Sequence, residues 1–180
     1  MRKVYCYASY IEINISSPNT PNLRVLQNSE ELDHLLNTLK SEQIKLTEDY
    51  GKYTPLVIKI APDLNSTQVI SIATLLIKHK IDGVIATNST LSRSEVENLP
   101  NSEETGGLSG SPLTKISTNI IRQLHAVLKG TVPIIGVGGI MCASDAQEKI
   151  DAGASLIQIY TGLIYQGPEL VRDAVKIFCK

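Results

Sequence analysis

The sequence predicts an α/β fold in which a parallel sheet is covered by helices. Three observations carry that prediction. Short apolar runs alternate along the chain with longer runs whose apolar residues recur at helical spacing. The short runs are apolar on nearly every residue, as strands buried on both faces are, instead of alternating apolar and polar as in a sandwich. Each short run ends in polar residues or glycines, and the carboxyl ends of parallel strands are where barrel enzymes keep their chemistry.

The first strand is Tyr10 to Ile15, rich in β-branched residues and stopped by Pro18, which has no donor for a ladder. Asn28 or Ser29 can then cap a helix in which Leu32, Leu35, Leu36 and Leu39 form one buried stripe. Leu56 to Ile60 is the second strand. Asn65 with Gln68 has capping-box spacing ahead of a helix carrying Val69, Ile72, Ala73 and Leu76. Gly83 to Thr87 is the third strand, and a polar loop from about Ser92 to Pro112 leads to a helix with Ile120, Ile121, Leu124, Val127 and Leu128. Pro133 to Val137 is the fourth strand, followed by a short helix with Ser144 and Gln147 in capping-box positions. Leu156 to Tyr160 is the fifth. Pro168 suits the first turn of a final helix whose core face is Leu170, Val171, Ala174, Val175 and Phe178. His34, His79 and His125 fall in helices without a second ligand one turn away, and read as helix-surface residues, so no metal site is expected.

At 180 residues without internal repeats or a low-complexity linker, the chain is expected to be a single domain over 1–180. A closed eight-stranded barrel takes about 250 residues, and five strands are counted here, so the expected architecture is an incomplete barrel. The open edges of its first and last strands would invite association. Lys plus Arg is 17 against 18 Asp plus Glu, aromatics are 4% and Trp is absent. That composition excludes a nucleic-acid or anionic-membrane surface and base-stacking platforms. Cys6, Cys142 and Cys179 lack CxxC spacing, which argues for a reduced compartment without disulfides or structural zinc. The apolar runs are too short to span a bilayer, and none has the pattern of a signal peptide.

The strand ends carry complementary groups. Asn14, Ser16, Ser17, Asn19 and Thr20 crowd the first, although Ser, Pro, Asn and Thr are also ordinary turn formers. Lys59 stands between Val57, Ile58 and Ile60, where an amine is costly unless it meets an anion, either a ligand or a carboxylate such as Glu12. Thr87, Asn88 and Ser89 end the third strand. Gly136, Gly138 and Gly139 follow the fourth, and Tyr160, Thr161 and Gly162 the fifth; glycine turns on two consecutive final strands suit a phosphate. GVGG lacks the GxGxxG spacing of a dinucleotide fingerprint.

The segments YIEINISSPNTPNLR, IKIAPDL, IATNST, TGGLSG, IIGVGGI and IQIYTG, in this order, resemble dihydroorotate dehydrogenase of the membrane-linked, quinone-using class. The likeness covers essentially the whole chain, but only the carboxyl-terminal half to two-thirds of such an enzyme. It implies a (β/α)8 TIM barrel of which this chain supplies strands four to eight, an FMN cofactor, and oxidation of dihydroorotate to orotate with electrons passed to a quinone, a step of pyrimidine biosynthesis. Ser17 would take the C5 proton, with Thr20 as candidate relay; the soluble class has cysteine there. Asn14, Asn19, Asn88 and Ser89 would bind substrate. Asn14, Lys59, Thr87, Ser109, Gly110, Gly138, Gly139, Tyr160 and Thr161 would hold the flavin, Lys59 beside its ring and the late glycines at its phosphate. Two residues depart from the pattern: Ser89 replaces a threonine and keeps its hydroxyl, and Asn22 replaces a glycine, which asparagine can do because it tolerates left-handed angles. The resemblance places a full-length member peripherally on the cytoplasmic side of the inner membrane, touching it through the amino-terminal part. This chain alone is expected to bind flavin weakly or not at all and to be soluble or prone to aggregate. The alternatives are another phosphate-binding barrel enzyme, an isomerase or aldolase using Lys59, and a non-catalytic remnant that pairs its open edge with a partner.

Overall fold

The computed structural model describes residues 1–178, without the Phe178 side chain, so the expected core contact of Phe178 falls outside the described part. Five strands, β1 (Ile11–Asn14), β2 (Leu56–Ile60), β3 (Gly83–Ala86), β4 (Ile134–Val137) and β5 (Leu156–Gln158), form one sheet in sequence order. All four pairings are parallel. Helices α1 (Ser29–Tyr50), α2 (Ser66–Lys78), α3 (Thr114–Leu128), α4 (Ala143–Asp151), α5 (Thr161–Gln166) and α6 (Glu169–Phe178) alternate with them.

The register sorts side chains onto two faces because successive strand residues point oppositely. Leu56, Ile58, Ile60, Val84, Ala86 and Ile134 turn outward; most of them pack with Leu32, Leu36, Val69, Ile72, Leu76, Ile120, Ile121 and Leu124 of the helices in one core. The opposite, inner face carries Glu12 and Asn14, then Val57 and Lys59, Ile85, Ile135 and Val137, and Leu156 and Gln158. Val57, Ile85, Val137 and Ile135 make a small cluster there, while Leu156 at the far side is 59% exposed. The sheet is thus the wall of a partial barrel, with an inner face that is only half covered.

Local chemistry sets the element ends. Asn65 and Gln68 form the expected capping box, each side chain accepting the other's backbone amide at 2.9 and 3.0 Å. The short helix after β4 starts differently from expectation: the cap is Cys142, and Asp145 accepts from the Met141 and Cys142 amides at 2.8 and 3.0 Å, while Gln147 donates to Asp151. Asn28 occupies the first cap of α1, but without a side-chain cap bond. His79 is not a free surface residue; it ends α2 and its Nε2 lies 2.6 Å from Asp33 of α1. The fifth strand stops at Gln158, and the last unit splits into α5 and α6. On α6 only Leu170 and Ala174 of the expected stripe are buried, with Val171 and Val175 exposed. Asn22 takes φ 60°, the left-handed value the sequence required of it. Among the described residues, no helix is long and apolar enough to cross a membrane.

Candidate active site

The carboxyl ends of the strands enclose a cavity of about 460 Å³. Asn19, Lys59, Thr87, Asn88, Ser89, Ser109, Gly110, Gly138, Gly139, Tyr160 and Thr161 all line it. Ser17 and Asn14 do not, and neither does Thr20. Asn14 instead organises the first two loops. Its Oδ1 accepts from the amide and hydroxyl of the buried Ser16 at 3.1 and 3.0 Å and, more loosely, from Asn88 Nδ2 at 3.3 Å. Asn88 also donates to Ser16 Oγ at 3.1 Å and accepts from the Ser89 amide at 2.8 Å. Ser17 sits between these groups and Asn19, and its Oγ accepts the Asn19 amide at 3.2 Å. Thr20 is exposed and makes no hydrogen bond to Ser17.

Lys59 enters from the middle of the wall. Its position opposite Asn14 and beside Ile85 aims it inward, and its Nζ is 3.5 Å from Glu12 one step down the same face. The ion pair offsets part of the desolvation of a largely buried amine. On the far side, the Gly138–Gly139 turn and the start of α5 face each other. Both places exclude a larger residue: a Cβ on Gly139, at φ 72°, would stand 2.3 Å from the Thr114 amide, and one on Gly162 would stand 2.0 Å from the Ile140 carbonyl oxygen. Backbone therefore lines this end of the cavity, as an anion site built of amides requires. Thr161 Oγ1 donates to Ser109 Oγ at 3.0 Å and ties the long loop to the same corner. Gly136 does not belong to this cluster. It faces outward, where its missing side chain leaves room for Ile121, Ala154 and Lys149.

Sequence reasoning missed the clasp that holds the loops. Arg24 Nε donates to the Ser16 carbonyl at 3.0 Å, Nη2 to the Ser89 carbonyl at 3.0 Å and Nη1 to Asp63 at 2.7 Å. Asp63 in turn binds the Thr90 hydroxyl and the Leu91 amide. Three strand ends are thereby fixed by one ion pair whose members are 39 residues apart. Arg93 staples the long loop in the same way, donating to the Glu104 and Gly106 carbonyls at 2.9 and 2.7 Å.

A family model described as dihydroorotate dehydrogenase matches residues 1–177. The chain belongs to the dihydroorotate dehydrogenase family. A dihydroorotate dehydrogenase (quinone) from Nitrosospira multiformis is 61% identical over 179 residues, 99% of this chain and 51% of that protein. The one from Nitrosomonas europaea is also 61% identical, over 99% of this chain and 52% of that protein. The solved dihydroorotate dehydrogenase from Eimeria tenella in complex with ferulenol superimposes with a TM-score of 0.92 at 37% identity, covering 97% of this chain and 50% of that one. The chain spans about half the length of the curated relatives it matches. The five parallel strands described above are accordingly part of a dihydroorotate dehydrogenase barrel.

Proposed function

We propose that this chain carries the substrate and flavin-phosphate side of an FMN-dependent dihydroorotate dehydrogenase, which oxidises dihydroorotate to orotate and passes the electrons to a quinone at a membrane surface. The observation that carries the reading is the cavity at the carboxyl rim, with one cation, Lys59, in its wall and two backbone turns, Gly138–Gly139 and Thr161–Gly162, at its far end. That donor set fits FMN: amides for a phosphate, an ammonium for the ring, and a corner in which Ser109 and Thr161 already meet. When bound, FMN supplies the two-electron acceptor. Asn88, Ser89 and Asn19 offer paired donors and acceptors to a planar carboxylate-bearing ring, and Asn14 holds Asn88 in place. Ser17 is the proton acceptor in this reading. Its hydroxyl receives the Asn19 amide and keeps a lone pair free, and the Ser16 and Asn88 bonds hold its loop against the substrate end.

Because the inner face is half covered, we expect the 180-residue chain alone to bind FMN weakly or not at all. The test follows amide resonances during titration. FMN should shift Gly138, Gly139 and Thr161, and orotate should shift Asn88 and Ser89. Shifts confined to the opposite rim would overturn the reading, and a tight stoichiometric complex would overturn the expectation of weak binding.

A further inference from the structure

Lys149 of α4 is 0% exposed, and among the described residues it is the only lysine, arginine, aspartate or glutamate that is buried. Both of its hydrogen-bond partners are neutral: Nζ donates to the Thr114 carbonyl and to the Thr118 hydroxyl, each at 2.7 Å. Burial pushes its pKa down to about 8; Glu148 and Asp145 on its own helix pull the other way, and Arg122 on α3 adds to the depression. The strands β4 and β5 carry no titratable side chain, and on α6 the charges pair among themselves, Arg172 with Glu169 and Lys176 with Asp173. A buried ammonium whose direct partners are both neutral is costly, so its place in the fold asks for a counter-charge.

That place lies directly behind the glycine turn. Thr114, which Lys149 holds by its carbonyl, donates its hydroxyl to the Gly139 carbonyl at 2.7 Å, and Gly139 packs so closely on Thr114 that no Cβ fits. The stem of Lys149 runs past Gly136, where an added Cβ would stand 3.1 Å from its own Cβ. The glycines at 136 and 139 therefore accommodate, on either side, one chain of contacts from Lys149 through Thr114 to the turn.

We propose that Lys149 is a positioning residue for an anion-binding turn, fixing Gly138–Gly139 through Thr114 and supplying the buried positive charge that a phosphate monoester at the turn complements. The inference rests on the FMN reading above and adds to it a residue outside the cavity lining. It requires that phosphate binding and Lys149 protonation favour each other.

The test compares FMN with riboflavin, which lacks only the phosphate, by titrating the whole chain and following the Gly138 and Gly139 amides. A phosphate monoester is doubly charged above its second pKa of about 6, so a pH series from about 7.5 to 9.5 changes Lys149 and not the phosphate. In the wild-type protein the preference for FMN over riboflavin should fall as pH rises through that range. Lys149→Met should lower the preference at least tenfold at pH 7.5 and leave it flat with pH, while Lys149→Gln, which can still donate to Thr114 and Thr118, should keep the turn in place but lose the pH dependence. Should either variant not fold, the Lys149 side-chain resonance in the lysine-containing protein decides, since its pKa must rise on saturation with FMN. An unchanged preference in Lys149→Met, or an unchanged Lys149 pKa, overturns the inference and leaves the FMN reading intact. FMN shifts confined to residues away from the turn overturn the FMN reading, and this inference with it.

Discussion

The two rims of the sheet are built from similar residues and left in opposite states. At the amino-terminal rim the polar groups consume one another. Asp82 accepts from the Leu56 amide at 2.9 Å, Gln43 at 3.2 Å and the Tyr53 hydroxyl, with Lys40 at 3.9 Å. The buried Gln43 also donates to the Thr54 carbonyl, and Tyr5 joins Thr47 and both polar groups of Thr54. At the carboxyl-terminal rim the clasp of Arg24 and Asp63 is equally saturated, but Asn19, Lys59, Ser89 and two backbone turns still face a cavity. A closed network stabilises; spare donors around a hollow bind. The same division of labour holds in barrels generally, where the bottom face carries stability and the top face chemistry.

The comparison is broken most severely by removing Asp82. Asp82→Ala leaves the Leu56 amide without its acceptor and the buried Gln43 side-chain amide with one acceptor of two, and we expect a loss of about 3 kcal/mol in denaturant unfolding. The FMN shifts at Gly138 and Gly139 should be unaffected. A variant that keeps its stability but loses those shifts would show that the rims are not separable.

Titration sharpens the contrast next, because each rim has one strongly displaced group. The folded pKa of Lys149, about 8, lies below its ordinary 10.5, so between those values the unfolded chain holds more protons and stability rises with pH. Below about pH 8 the folded state carries the full cost of the buried charge, on the order of 3 kcal/mol. Tyr53 is displaced the other way. Partial burial and the Asp82 carboxylate push it up to about 12, so its contribution is present below its ordinary 10 and is lost as pH rises toward 12. Stability measured against pH should lose its rise from 8 to 10.5 in Lys149→Met, and its fall from 10 to 12 in Tyr53→Phe. Identical curves for the variants and the parent would refute both assignments.

A smaller effect on folding, but a complete one on binding, is expected at the glycine turn. Gly139→Ala forces a side chain into φ 72° against the Thr114 amide. The strain should cost about 1–2 kcal/mol, and FMN should lose its preference over riboflavin. Retained preference would mean that the phosphate sits elsewhere.

What the sequence revealed of this contrast follows from how each feature is encoded. Lys59 within an apolar run, Asn88 at a strand end and the late glycines are anomalies against their neighbours, so they stand out without coordinates. The Arg24–Asp63 clasp and the His79–Asp33 contact join residues 39 and 46 positions apart, and neither partner is unusual where it stands. Cys142 displaced Ser144 as a cap because two overlapping boxes are spelled in that stretch, and the preceding turn decides which is used. Periodicity showed that Val171 and Val175 lie on an apolar stripe, but not that they stay exposed.

Asn22 gives the smallest expected effect and the finest probe of the upper rim. It holds φ 60° and ψ 3° between the Ser17 turn and Arg24, with the Val25 amide donating to its carbonyl at 3.2 Å. No side-chain cap bond from Asn22 is made, so its value lies in the backbone angle and not in a contact. Glycine enters that angle without strain but loosens the unfolded chain, and the two effects nearly cancel. Asn22→Gly should therefore stay within about 0.5 kcal/mol of the parent, whereas Asn22→Val, a β-branched residue at positive φ, should cost about 1–2 kcal/mol. The angle also sets where Arg24 begins. Asn22→Val should thus weaken orotate shifts at Asn88 and Ser89 along with stability, while Asn22→Gly leaves both alone. Loss of stability without loss of orotate binding would mean that the clasp tolerates a shifted arginine and that the upper rim is held by Asp63 and Thr90 instead.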